Sequence, residues 1–191
     1  MVSYIVSYLK LEIYMKINEV IKLSAFYLGL DESDNKIRTQ LLKCANLVIN
    51  EICADHYPLV REAAANTGSG TVNYTTLAPA LSGERVLEVL SVRNGAVNVA
   101  FRSYPAHMKT APGLNVTVRF SYVPGDYGEN GDAPVPDKIG ERITAYGAAT
   151  EYCLINGLFE EAVIWEKRYR DSLAAVTRKR GEITVPARRW L

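Results

Sequence analysis

The chain has 191 residues, 48% of them hydrophobic, with 22 Lys and Arg against 21 Asp and Glu and a formal net charge of +1. A domain of this length removes roughly 70% of its unfolded surface from water, so one folded core is the starting expectation. The balanced charge excludes a global field that would draw the protein to nucleic acid or membrane, and any electrostatic role must be local.

Residues 1–14 are apolar, but Lys10 and Glu12 interrupt them well short of the roughly 18 residues a bilayer span needs. They also lack the basic start, longer apolar run and small-residue cleavage site of a signal peptide. They read as an N-terminal extension of a domain that begins near Met15, and the chain is expected to stay in the cytoplasm where it is made. Cys44, Cys53 and Cys153 are odd in number and lack C-x-x-C spacing, which fits buried reduced thiols better than a disulfide framework.

From Ile17, the positions Ile17, Val20, Ile21, Ser24 and Leu28 recur at helical spacing, with Gly29 as the C-terminal stop. After the polar link 31–35, Ile37, Leu41, Cys44, Ala45, Val48 and Ile52 repeat that period up to the Asp55-His-Tyr-Pro58 break. The period then shortens. Residues 71–75, 85–92, 97–101 and 115–123 are rich in β-branched and aromatic side chains and mostly alternate, predicting four strands. Asn94-Gly95 predicts a hairpin between the second and third. In the fourth, Val116, Val118, Phe120 and Tyr122 share one face and Asn115, Thr117, Arg119 and Ser121 the other, so one sheet face is wet or touches a partner.

Residues 125–136 form a Gly-, Pro- and acid-rich loop, after which Asp137 is placed to cap a helix through Ile139, Ile143, Tyr146, Thr150 and Cys153. Asn156-Gly157 ends it, and a second helix follows through Phe159, Ala162, Val163, Tyr169, Leu173 and Val176. The predicted plan is α+β: an extension (1–14), an N-terminal helix pair (15–65), a central antiparallel β insertion (66–136), a C-terminal helical hairpin (137–177) and an extended basic arm (178–191). The two helix pairs would form a four-helix bundle within a single folded domain.

Little in the sequence points to catalysis or a cofactor. His56 and His107 are the only histidines, and neither sits in H-E-x-x-H or beside a cysteine pair, so both read as packing or surface residues. There is no G-x-S-x-G elbow and no phosphate-binding G-x-x-x-x-G-K-[ST] loop, and Gly68-Ser-Gly70 reads as a linker. Asp126, Asn130, Gly131, Asp132 and Asp137 loosely resemble a calcium loop. However, Gly128 stands at a ligand position and Asp137 replaces the bidentate Glu, so a solvated turn is the better account. Asn115-Val-Thr117 matches a glycosylation sequon without a secretory context. Glu160 and Glu161 are adjacent on a helix and point about a quarter-turn apart, while Glu151 lies on the preceding one; all three read as a solvated or salt-bridged face. No metal, cofactor or catalytic residue is assigned.

The arm is the most informative local signal. Arg178, Lys179, Arg180, Arg188 and Arg189 crowd into the last fourteen residues beside Trp190 and Leu191. Trp and Arg are the residues that anchor interfaces, so these seven are assigned to partner binding, with a frayed terminus and phosphate contact as the competing readings.

Residues 145–169 (AYGAATEYCLINGLFEEAVIWEKRY) and the closing Ala187-Arg-Arg-Trp190 resemble head-to-tail connector (adaptor) proteins of tailed bacteriophages and prophages. The order of parts is similar too, including the Val118-x-Phe120-x-Tyr122 strand and the Pro124-Gly-Asp126 turn. The resemblance runs from about Met15 to Leu191 and leaves residues 1–14 unmatched. It implies a structural virion protein at the head–tail interface: a homo-oligomeric ring, typically of twelve subunits, bound to the portal protein and offering a platform for a downstream tail protein. DNA would pass through its channel without sequence-specific binding, and the arm would reach the portal. Three other readings stay open: a DNA-binding packaging accessory that uses the arm, a tail completion or tube-associated structural protein, and an enzyme with an unfamiliar site. A ring needs a heterologous interface, for which the polar sheet face and the helix carrying Glu160 and Glu161 are candidates. Gly147, Ala148 and Ala149 would let helices approach closely, within the subunit or between subunits.

Overall fold

The computed structural model describes residues 15–78 and 83–177. The architecture is α+β with antiparallel sheets. A short strand, β1 (Met15–Lys16), leads into α1 (Ile17–Leu28), whose buried Ile17, Val20, Ile21, Ser24 and Ala25 form one stripe. Gly29, at φ 64°, ends it, and the Leu30 amide donates to the Ala25 carbonyl at 2.9 Å. Helix α2 (Asn35–Glu51) is capped by Asp34, whose carboxylate accepts from the Lys36 amide at 2.7 Å. It closes in a single π-helical turn, Ile52–His56, that keeps Ile52 and Cys53 both buried.

The sheet starts earlier than its sequence suggests. Strand β2 (Leu59–Asn66) follows Pro58 directly, so the last eight residues assigned to the N-terminal helix pair belong largely to the β layer. The Ala63-Ala-Ala65 run hides this strand from a propensity reading, because alanine is depleted in strands. Next come β3 (Thr71–Asn73) and the one-turn α3 (Tyr74–Leu77), which shortens the expected 71–75 strand by tucking Leu77 into the core. Strands β4 (Arg85–Asn94) and β5 (Val97–Asn98) make the predicted hairpin, Arg93 opposite Asn98 and Asn94 opposite Val97, with Gly95 at φ 60° supplying the left-handed turn residue. The expected 97–101 strand splits, because the chain leaves β5 to enter a different sheet as β6 (Phe101–Ser103).

Strands β7 (His107–Thr110) and β8 (Asn115–Val123) complete the insertion, and β9 (Asp132–Ala133) pairs with β1. Among the described residues three sheets result: β1–β9, β2–β8–β4–β5 and β3–β7–β6, all antiparallel. Helix α4 (Gly140–Ile155) then packs against α1, α2 and α5 (Phe159–Thr177). Asp137 does not cap α4. The Ile139 and Gly140 amides both turn onto the Pro136 carbonyl, and Gly140, at φ 58°, redirects the chain before the helix begins.

Among the described residues two apolar cores follow from this plan. One lies among the helices, built from Ile17, Val20, Ile21, Leu41, Val48, Ile49, Ile52 and Tyr169. The other lies between the sheets, around Val89, Val92, Met108, Val116, Val118 and Phe120. Tyr122 packs on the edge of both. The β8 strand meets the helical layer at the Ile52–His56 turn. A second tie is Asn46, nearly buried on α2, whose side-chain amide donates to the Tyr127 carbonyl at 3.0 Å and accepts from the Tyr127 amide at 2.8 Å. This clamp, with an Arg38–Glu129 ion pair, holds the 125–136 loop along α2. No described helix is long and apolar enough to cross a membrane.

Candidate interaction surfaces

The reactive side chains are dispersed. His56 is exposed in the π-helical turn, and His107 stacks on Tyr104 at 4.8 Å and 12° between ring planes. Cys44, Cys53 and Cys153 are buried, as the sequence predicts. Burial pushes the Cys44 thiol up to about 12, with the Glu151 carboxylate adding to the shift, and pushes Cys53 to about 11, so both stay neutral thiols rather than nucleophiles. In the resembled calcium loop, Asp132 lies in the β1–β9 pair opposite Lys16 and the Gly131 amide turns onto the Gly128 carbonyl. Among the described residues no three His, Cys, Asp or Glu side chains are grouped to hold a metal ion.

The small residues of α4 are used inside the subunit. A Cβ on Gly147 would lie 2.7 and 2.9 Å from the two Val48 methyls and 3.2 Å from the Tyr169 ring, so the missing side chain is what lets α2, α4 and α5 close on one another. Ala148 and Ala149 are fully buried beside it. Across the layer, the rings of Tyr27 (α1), Tyr146 (α4) and Trp165 (α5) form a mutual cluster, with centroids 5.2 Å apart for Tyr27–Tyr146, 5.3 Å for Tyr27–Trp165 and 5.8 Å for Tyr146–Trp165, flanked by the Arg142 and Arg168 guanidinium groups.

The end of the α4–α5 hairpin is different. Leu154, Ile155, Leu158, Phe159, Val163 and Ile164 are 42–65% exposed, six large apolar side chains within eleven residues. Phe159 and Val163, read from sequence as core positions, are each 65% exposed. The inward face of α5 is set by the buried Ala162, Tyr169 and Leu173, with Trp165 and Val176 packing partly buried beside them. A signal for this was present: four consecutive apolar residues, 162–165, cover more of a helix than one stripe can bury. Between residues 143 and 166 the chain has four glutamates, Glu151, Glu160, Glu161 and Glu166, and no lysine or arginine. The tip is therefore apolar and acidic.

The sheet presents the second surface. Val86, Val89 and Val92 of β4 all point inward at a spacing of three, which an alternating strand cannot do. Two register shifts against β8, between Val86 and Glu88 and between Val89 and Ser91, make this possible. Each leaves a leucine unpaired on the strand, and Leu87 and Leu90 are each 43% exposed. Arg93 reaches Glu62 at 3.3 Å over the intervening β8. Ser121, expected on the wet face, is buried, with its hydroxyl 3.4 Å from the Glu88 carbonyl. Beyond this sheet, Arg102 of β6 lies directly opposite Lys109 of β7, both exposed, beside the Tyr104–His107 stack; the Lys109 ammonium sits 5.6 Å from the Tyr104 ring centre. Residues 89–125 contain four cations, Arg93, Arg102, Lys109 and Arg119, and no carboxylate.

The partner-binding residues assigned from sequence, Arg178, Lys179, Arg180, Arg188, Arg189, Trp190 and Leu191, lie outside the described residues, as does the 1–14 extension. No protein-family model matches the chain, and no curated protein matches it.

Proposed function

We propose that the chain is a non-catalytic structural subunit of a tailed-phage virion, a head-to-tail adaptor that forms a ring between portal and tail. In this reading the two helix pairs act as a four-helix bundle that builds the ring wall. The β insertion meets a neighbour or the tail, and DNA slides through a lumen that does not hold it strongly. The observation that carries the reading is the exposed apolar tip, Leu154 to Ile164, since six large apolar side chains gathered at one end of a subunit mark a contact site. The likeness of residues 145–169 and of the closing Ala187-Arg-Arg-Trp190 to connector proteins supplies the identity of the assembly.

The arm is the portal anchor. Deleting residues 188–191 should abolish co-assembly with the portal protein encoded beside it and leave the subunit's circular dichroism unchanged. Portal binding that survives the deletion would remove this role for the arm.

A further inference from the structure

Charge is segregated along this chain in a way its net value of +1 conceals. Of the charged residues, the α4–α5 stretch 143–166 has only acids, with Glu160 and Glu161 at the hairpin tip, and the sheet region 89–125 has only bases. The two sit at opposite ends of the molecule. Tyr152, near the end of α4 from which the tip projects, lies by Asp34 at the start of α2, while the sheet joins the helical layer at the Ile52–His56 turn that follows the last residue of α2. Among the described residues, Glu160 and Glu161 have no cationic partner, and Arg102 and Lys109 have no carboxylate partner. Like charges directly opposite each other on paired strands are destabilising, and an opposing acidic surface would relieve Arg102 and Lys109 of that cost. Apolar groups accompany the charge on both sides: Phe159, Val163 and Ile164 on the tip, and Tyr104 with Val97, 68% exposed on the β4–β5 hairpin, on the sheet.

We propose that copies of the chain associate head to tail, the acidic apolar tip of the α4–α5 hairpin in one copy seating on the basic face of Arg102, Lys109 and Tyr104 in the next. The pairing rests on the reading of the chain as a self-assembling structural subunit. It is heterologous, because the joined surfaces differ, and repetition of one such contact yields a closed ring when the rotation between copies closes, and an open filament otherwise. Glu160 and Glu161 stand in the first turn of α5, where they also favour the helix terminus, so their position serves the fold and the contact together.

The test uses the full chain, with and without the portal protein. Carbodiimide coupling of a mixture of isotopically light and heavy protein should yield a mixed-isotope peptide joining Lys109 to Glu160 or Glu161. The double variants Glu160→Lys/Glu161→Lys and Arg102→Glu/Lys109→Glu should each weaken self-association at least tenfold by sedimentation velocity while keeping the wild-type circular dichroism. An equimolar mixture of the two should recover it, since the reversed tip then fits the reversed sheet. Loss without recovery in the mixture overturns the pairing. So does a sheet variant that loses duplex DNA binding while associating normally, which would make this face a nucleic-acid surface. Rings that assemble on the portal without the Lys109 link overturn the pairing and leave the adaptor reading standing. A chain that neither associates nor engages the portal overturns both.

Discussion

The helical layer and the β insertion bury their apolar side chains by different means. In the helices, closeness comes from small residues: Gly147, Ala148 and Ala149 draw three helices together until Val48 and Tyr169 touch the α4 backbone. In the insertion, closeness comes from irregularity. Two bulges in β4 turn three valines inward at a spacing of three and leave Leu87 and Leu90 outside. Apart from Phe26 on α1 and Leu47 on α2, the helices gather their exposed large apolar side chains at the hairpin tip, whereas the sheet spreads its own singly among charges. A concentrated patch favours a contact, and scattered apolar residues on a surface need no partner.

If the two cores are energetically distinct, the largest effect should come from the insertion. Phe120→Ala should cost about 3–5 kcal/mol, since the ring is fully buried. Hydrogen exchange should then show lost protection in β2, β4 and β8 with α4 still protected. Equal loss in α4 would mean that the clamp between Asn46 and Tyr127 makes the two regions one cooperative unit.

Gly147→Ala tests the helical side. Overpacking against both Val48 methyls and the Tyr169 ring should cost about 1–3 kcal/mol, more than the roughly 1 kcal/mol that alanine gains over glycine in a helix. A variant more stable than wild type in urea would refute the close approach.

Alkaline pH should also act on the helical side. Cys44 is held at about 12 and Cys53 at about 11 against an ordinary value of 9.0, so the unfolded chain ionises first. The stability tied to these thiols is intact below pH 9.0 and is lost as pH rises toward those folded-state values. Urea midpoints at pH 8 and 10.5 should separate less in Cys44→Ala than in wild type, and an equal separation would count against it. The smallest effect is expected from Leu90→Ser, within about 0.5 kcal/mol, because the bulge has already placed that side chain outside the core. A larger loss of stability would mean that the outer leucines pack.

Sequence by itself determined the four long helices, the Asn94-Gly95 hairpin and the β8 strand, because local periodicity and turn chemistry suffice for elements that each present one regular face. Helix α1 matches its reading from Ile17 to Leu28, and β8 matches from Asn115 to Val123. Tertiary structure decided the rest. The strand over Leu59–Asn66 is held by its pairing with β8 rather than by propensity, and Val86, Val89 and Val92 share a face only through bulges that exist against a partner strand. The exposed tip is of the same kind. Phe159 and Val163 obey a helical period, but which side of a helix faces inward is chosen by its neighbour, and α4 chose Ala162, Tyr169 and Leu173. The opposition of acidic tip and basic sheet was legible as two one-signed stretches of chain; that they lie at opposite ends of the molecule followed only from how α2 spans it.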